Sequence, residues 1–224
     1  MALASSDTSA TLSWTDSSTV NQYYIEWGPK GFTQGTGAPI ETVVGTSWSV
    51  DTLLPNTEYD FYIQSDCQTA LGVNSPWSGP FTILTPCSPI AAPFIDGFEN
   101  KPTAYGNLTN PNFPSCWVYE NDGGGNYSYA TTSTFSSYSG SGYVYNRMGN
   151  VAGDTVIYST PMINGLEDGD LLVKFYARTS SSSYKGQMAV GVTGASGALS
   201  TLKVVEDLRV TDSYQEYTVY LDSN

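Results

Sequence analysis

The stretch LLPNTEYDFYIQSDC, residues 53–67, decides how the first part of the chain folds. Leu54, Pro55, Asn56 and Tyr59 form the pattern of a tyrosine corner, in which a tyrosine near a strand start hydrogen-bonds through its hydroxyl to a nearby backbone group and locks a sandwich crossover. The residues after it alternate Tyr59, Phe61 and Ile63 on one side, the period of a half-buried strand. Working toward the N-terminus, SWSV and ETVV read as short strands, GPKGFTQGTG as a turn-laden loop, and YYIEW, residues 23–27, as a strand with Tyr23, Ile25 and Trp27 on one face. Before them, TLSW alternates from Ala10 onward. Toward the C-terminus, SPWSGP leads into FTIL, residues 81–84, which closes this unit.

A change of character follows. Residues 85–117, TPCSPIAAPFIDGFENKPTAYGNLTNPNFPSCW, open with Pro86, Pro89 and Pro93. Three prolines fix the backbone and remove amide donors, so a packed sheet is not expected to run through them. The reading is a short rigid hinge followed, at Phe94, Ile95 and Phe98, by the first strand of a second β domain. Cys87 and Cys116 flank the opening of that domain and are the pair expected to form a disulfide. Cys67 sits in a turn-rich stretch and is either free or turned toward a partner.

The composition bounds what such a chain can do. Its 224 residues are enough for two ordinary domains, each able to bury a core. Ser, Thr, Gly and Tyr are abundant, charge is sparse, and β-branched and aromatic runs are separated by turn residues, the profile of an all-β protein. Eight basic against 21 acidic residues give a net charge of −13, which excludes nucleic acid as a favoured partner because phosphate binding needs Lys and Arg. No apolar run is long enough to span a bilayer, and no basic start with an apolar h-region reads as a signal peptide. Histidine is absent, which removes Ser-His-Asp and Cys-His catalysis and histidine metal sites. No acid pair stands out as the two carboxylates of a glycosidase.

The segments TLSW, YYIEWG, LLPNTEYDFYIQSDC and SPWSGPFTILTPC together resemble a bacterial fibronectin type III domain over residues 1–86, with the first strand clipped to ALAS. No Arg-Gly-Asp tripeptide is present to imply integrin binding. After a Pro-rich linker at 87–93, residues 94–224 resemble a MAM-like jelly roll of the cleaved-adhesin or choice-of-anchor J type. The segments that carry this are PFIDGFEN, FPSCW, DTVIYSTPMI, LLVKFYAR, QMAVGV and YQEYTVYLD. Such domains close with one or two further strands, so the jelly roll is expected to be incomplete at its C-terminus. The implied fold is a fibronectin type III β-sandwich followed by a jelly-roll β-sandwich.

Three groups of residues are candidates for binding. Calcium takes carboxylate and carbonyl oxygens, which sandwich loops supply. Asp96 and Glu99 lie at the expected strand start, and Asp154 follows the turn-forming Ala152 and Gly153. The resemblance implies a structural calcium near the first strand, at Glu99 and Asp96. Sugars pack their CH faces on Tyr and Trp, so the Tyr-rich tract with Tyr127, Tyr129, Tyr138 and Tyr143, too Gly/Ser-rich and long for a simple hairpin turn, is read as a loop offering a glycan or partner surface. Asn107-Leu-Thr and Asn126-Tyr-Ser are glycosylation sequons only in a eukaryotic secretory chain, and Asp51-Thr-Leu and Asp154-Thr-Val resemble bacterial O-glycosylation sites.

The function implied by resemblance is non-catalytic adhesion or display in a larger secreted or cell-surface bacterial protein, exported by type IX secretion, with neighbouring domains of the same chain as partners. The alternatives are accessory polysaccharide-binding domains of a secreted hydrolase, and a subunit that assembles by strand donation.

Overall fold

The structure is a computed structural model that describes residues 2–17, 20–67, 73–103, 112–121, 126–133, 136–147, 155–166, 171–184, 186–194 and 199–221. The chain divides into two compact units, Met1–Ser88 and Pro89–Asn224. The named elements of the described residues are β-strands and a 3-10 turn at Leu199–Thr201.

In the first unit the strands are β1 (Ala2–Ser5), β2 (Ala10–Ser13), β3 (Gln22–Pro29), β4 (Glu41–Val44), β5 (Ser47–Val50), β6 (Glu58–Ser65) and β7 (Ser78–Leu84). They form one antiparallel sheet in the order β1-β2-β5 and another in the order β4-β3-β6-β7. The period-2 alternation read from the sequence sends Ala10 and Leu12 from one sheet and Tyr59 and Phe61 from the other into a common core with Val50 and Leu53. Trp27, Trp48, Phe81 and Ile83 pack against its rim. Full burial of Phe61 contributes about 1.5–3 kcal/mol of transfer free energy. The short ALAS segment is a real strand, paired residue for residue with β2.

The tyrosine corner is present. The Leu54 N–H donates to the Tyr59 hydroxyl at 2.9 Å. The fully buried Thr85 completes the corner: its hydroxyl donates to the Leu54 carbonyl at 2.6 Å and accepts the Thr57 N–H at 3.0 Å. Two residues defy the alternation, Glu26 and Asp60, the latter 4% exposed between Tyr59 and Phe61. Glu26 should face water between Ile25 and Trp27, yet it is only 1% exposed, because the loop from Lys30 to Ala38 folds over it. Its Oε1 accepts the N–H groups of Gly35 and Gly37 at 2.9 and 2.7 Å, and Oε2 accepts Gly35 N–H and Gln34 Nε2 at 2.8 and 3.0 Å. A buried carboxylate is tolerable only when donors replace its lost water, and this loop supplies them from backbone.

The second unit is built from antiparallel strand pairs. They are β8 (Val118–Asn121) with β11 (Val156–Ser159), β9 (Tyr127–Thr132) with β10 (Gly142–Arg147), β12 (Leu172–Ala177) with β15 (Gln215–Tyr220), and β13 (Gly186–Val192) with β14 (Lys203–Val210). An isolated parallel bridge joins Ile90 to Ile163. An aromatic cluster of Phe94, Phe98, Phe113, Trp117, Tyr119 and Tyr158 forms one packed region, with Phe98 and Trp117 centroids 5.0 Å apart. Burial there pushes the Tyr158 hydroxyl pKa up. Cys87 and Cys116 are disulfide-bonded and Cys67 is a free thiol.

Two expectations for this unit are corrected. Residues 94–100 do not form the first strand: Phe98 and Asn100 take left-handed conformations (φ 56° and 59°), and Ile95 is 89% exposed. The cause is local, because the Asp96 carboxylate accepts the Phe98 N–H at 2.8 Å and turns the backbone where a ladder bond would have kept it extended. The Tyr-rich tract is not one long loop. Tyr127–Thr132 and Gly142–Arg147 pair along their whole lengths, leaving the Ser- and Gly-rich residues to the turn between them.

Candidate ligand-binding surface

Asp96 and Glu99 are anchors for neighbouring backbone and side chains. Besides the Phe98 N–H, Asp96 accepts the Trp117 indole N–H at 3.1 Å, tying the turn to the aromatic cluster. Glu99 receives the Ser141 hydroxyl at 2.6 Å and the Ser141 N–H at 3.0 and 3.1 Å. The Ser141 hydroxyl, then the Gly142 and Ser141 backbone amides, hold the Glu99 carboxyl below the usual carboxylate range. Each ionised carboxylate has about four lone-pair sites, so calcium would have to share Asp96 and Glu99 with these donors. No three His, Cys, Asp or Glu come together among the described residues, and Asp154 lies outside them.

The hairpin of β9 and β10 carries its four strand tyrosines on one face. Tyr145 sits opposite Tyr129 in register, their rings 5.3 Å apart, and Tyr127 stacks on Tyr129 at 6.0 Å. Arg147 lies over the Tyr127 ring at 5.7 Å and donates to its hydroxyl. Tyr143 shares that face by alternation, opposite Thr131. Tyr129 is buried and the others are half-buried, so this ladder is chiefly packing.

Tyr138 belongs to a different and more open surface. It projects from the β9–β10 turn and stacks on Tyr176 of β12 with centroids 3.7 Å apart and planes 8° from parallel. Both rings keep much of their area in water, at 52% and 41% exposure. Tyr214 closes the cluster edge-on to Tyr138 at 5.4 Å, its hydroxyl donating to the Ser136 carbonyl, and Arg178 lies over the Tyr214 ring at 5.1 Å. The Tyr176 hydroxyl donates to Glu216, which with Tyr138 raises its pKa well above the ordinary tyrosine value, while Lys174 pairs with Glu216 at 3.7 Å. The outer face of β12 and β15 therefore carries Leu172, Lys174, Tyr176, Glu216, Thr218 and Tyr220 in alternation, opposite the inward Val173, Phe175, Tyr217 and Val219. The sequence reading named Tyr138 and missed Tyr176, Tyr214 and Tyr220. The available signal, alternation in LLVKFYAR, puts Tyr176 on the side of Lys174 rather than of Phe175 without singling it out.

The first unit combines two antiparallel sheets, a core shared across them and a tyrosine corner at the start of β6. Residues 2–83 match the family model of the fibronectin type III domain. Fibronectin type III domains are, as a family, non-catalytic structural or binding modules of larger proteins, commonly extracellular. Among solved structures, the chain is similar to the FN1–FN3 domains of chicken CNTN1 (19% identity, TM-score 0.32, covering 38% of this chain and 29% of that one). It is also similar to the fn3 domain of human collagen alpha-1(XX) chain (22%, TM-score 0.31, 39% and 81%) and to the FN5 domain of Drosophila Lar (21%, TM-score 0.30, 39% and 91%). The chain thus spans under a third of the CNTN1 chain it matches. No curated protein matches it. No helix among the described residues is long and apolar enough to cross a membrane.

Proposed function

We propose that the chain is a non-catalytic adhesion or display segment of a larger secreted or cell-surface bacterial protein, in which the fibronectin type III domain is followed by a MAM-like binding unit. The observation that carries this reading is the exposed Tyr138–Tyr176 stack with its polar surround. An aromatic pair held open in water, flanked by a carboxylate, an ammonium and hydroxyls, is the composition of a surface that receives a polyhydroxylated or amphipathic partner. The same face supports the accessory polysaccharide-binding reading, in which a catalytic domain elsewhere in the chain acts on what this unit holds.

The test is retention of the purified chain on immobilised polysaccharides and bacterial surface extracts, compared with the double variant Tyr138→Ala, Tyr176→Ala. The reading expects retention by the parent and a loss of about tenfold in the variant, equivalent to about 1.4 kcal/mol. Equal retention of the two would remove this face from the account. A structural calcium at Asp96, Glu99 and Asp154 is proposed alongside, and a melting scan of the second unit that is unchanged by calcium or chelator would eliminate it.

A further inference from the structure

A second feature of this unit lies where the loop after β12 folds onto the end of β14. The Thr179 N–H donates to the Thr211 carbonyl at 2.6 Å, and the Thr179 hydroxyl donates to Ser181 at 2.9 Å, which pins residues 178–184 against residues 209–212. A side chain at Gly186 would meet Thr179 at 2.7 Å and Val210 at 2.9 Å, so the close approach depends on glycine. Above this floor is an open cleft of about 510 Å³ whose polar lining is Ser182, Tyr184, Arg209, Thr211 and Asp212. Its volume falls within the range of about 300–1,000 Å³ typical of small-ligand sites.

The chemistry of the lining is specific. Tyr184 is 65% exposed and presents a ring for the CH face of a ligand to pack on. Arg209 enters no ion pair among the described residues. Its cross-strand neighbour Gln187, with its amide oxygen turned inward, accepts from both guanidinium nitrogens at 2.8 and 3.1 Å, which orients the fork without neutralising it. The Tyr217 hydroxyl donates to the Arg209 carbonyl at 3.0 Å and fixes the backbone. The guanidinium N–H groups that Gln187 leaves free can donate to a carboxylate. Asp212 in the same cleft repels a simple anion but accepts hydroxyl protons, and Ser182 and Thr211 both donate and accept. A ligand that satisfies all of these offers a carboxylate, several hydroxyls and an apolar face at once.

We propose that the Tyr184–Arg209 cleft binds a carboxylate-bearing sugar residue of an acidic polysaccharide, with Tyr184 under the ring, Arg209 on the carboxylate and Asp212 on a hydroxyl. This names a ligand class for the adhesive reading and rests on that reading for its biological role. Its geometry is separate from the Tyr138–Tyr176 stack.

Isothermal titration of the intact chain with trigalacturonate, and with the neutral galactotriose as comparison, tests the assignment. The uronate binds at least tenfold more tightly than the neutral sugar. Arg209→Gln reduces uronate affinity roughly 10- to 100-fold, the span expected for a lost charge-assisted pair, while Arg209→Lys keeps the charge, loses the fork and falls between. Tyr184→Ala weakens both sugars. Melting curves that match the parent establish that each variant is folded. Equal affinity for the two sugars, or uronate affinity unchanged in Arg209→Gln, overturns the proposal. If polysaccharide retention depends on Tyr138 and Tyr176 but not on Tyr184 and Arg209, the cleft assignment fails and the adhesive reading stands. If no polysaccharide is retained by the parent chain, both fail.

Discussion

Substituting Glu26 by glutamine asks whether a buried carboxylate organises the β3–β4 loop of the fibronectin type III domain. At 1% exposure the side chain has no access to water, and its two oxygens accept four hydrogen bonds from Gln34, Gly35 and Gly37. The least disruptive outcome puts the new amide nitrogen at the position of Oε2. There the Gln34 amide can turn its oxygen inward, and Gly35 and Gly37 keep the remaining oxygen of residue 26. The interactions with Gln34, Gly35 and Gly37 then all change from charge-assisted to neutral, a loss of up to about 1 kcal/mol each. Relief of the carboxylate's desolvation offsets part of this, so the net destabilisation is about 1–2 kcal/mol. Glu26→Ala leaves the Gly35 and Gly37 amides without an acceptor and costs about 3–5 kcal/mol, at roughly 1–3 kcal/mol per stranded donor plus the lost packing. Urea unfolding followed by tryptophan fluorescence reads both, since Trp14, Trp27 and Trp48 report on this unit. Amide exchange of Gly35 and Gly37 provides a local readout, with protection reduced in the glutamine variant and abolished in the alanine variant. A glutamine variant as stable as the parent, with both amides still protected, would refute the argument that the charge holds the loop.

Other consequences can be checked separately. Tyr59→Phe removes the acceptor for the Leu54 N–H and lowers the stability of the first unit by about 1 kcal/mol, read as a shift of urea midpoint at constant slope. Glu99 titrates below its ordinary value of 4.5 in the folded chain. The stability it contributes is therefore present above that value and lost as pH falls through the folded value, and Glu99→Gln flattens this part of an acid unfolding profile. Opening the disulfide at Cys87 and Cys116 frees a loop on the order of 30 residues, so melting with and without reductant should differ by about 3–4 kcal/mol.

The parts of this architecture visible in the sequence are those set by short-range geometry. Alternation in YYIEW and EYDFYI and the spacing of Leu54 to Tyr59 depend on strand period and a local corner, so they could be read without knowing what packs where. Glu26 could not, because its burial is decided by a loop that begins only after β3 ends. The same holds for residues 94–100, whose apolar spacing suits a strand while one carboxylate, Asp96, diverts the backbone. In the Tyr-rich tract the composition of the turn hid the pairing of its flanks, and the aromatic content was noticed while its partners were not. Tyr138 meets Tyr176 and Tyr214, and Tyr184 and Arg209 line one cleft, across sequence separations that only the fold closes. The candidate surfaces were thus only partly legible: tyrosine content pointed to Tyr138, while no pattern in the sequence singled out Tyr176, Tyr184 or Arg209.

The central claim is that this chain binds without transforming what it binds. The direct measurement is incubation of the purified chain with a soluble acidic polysaccharide, followed by affinity sedimentation and chromatographic sizing of the same sample. The account predicts that the polysaccharide is bound and its length distribution is unchanged. Shortened oligosaccharides, or a polysaccharide that is not bound at all, would contradict it.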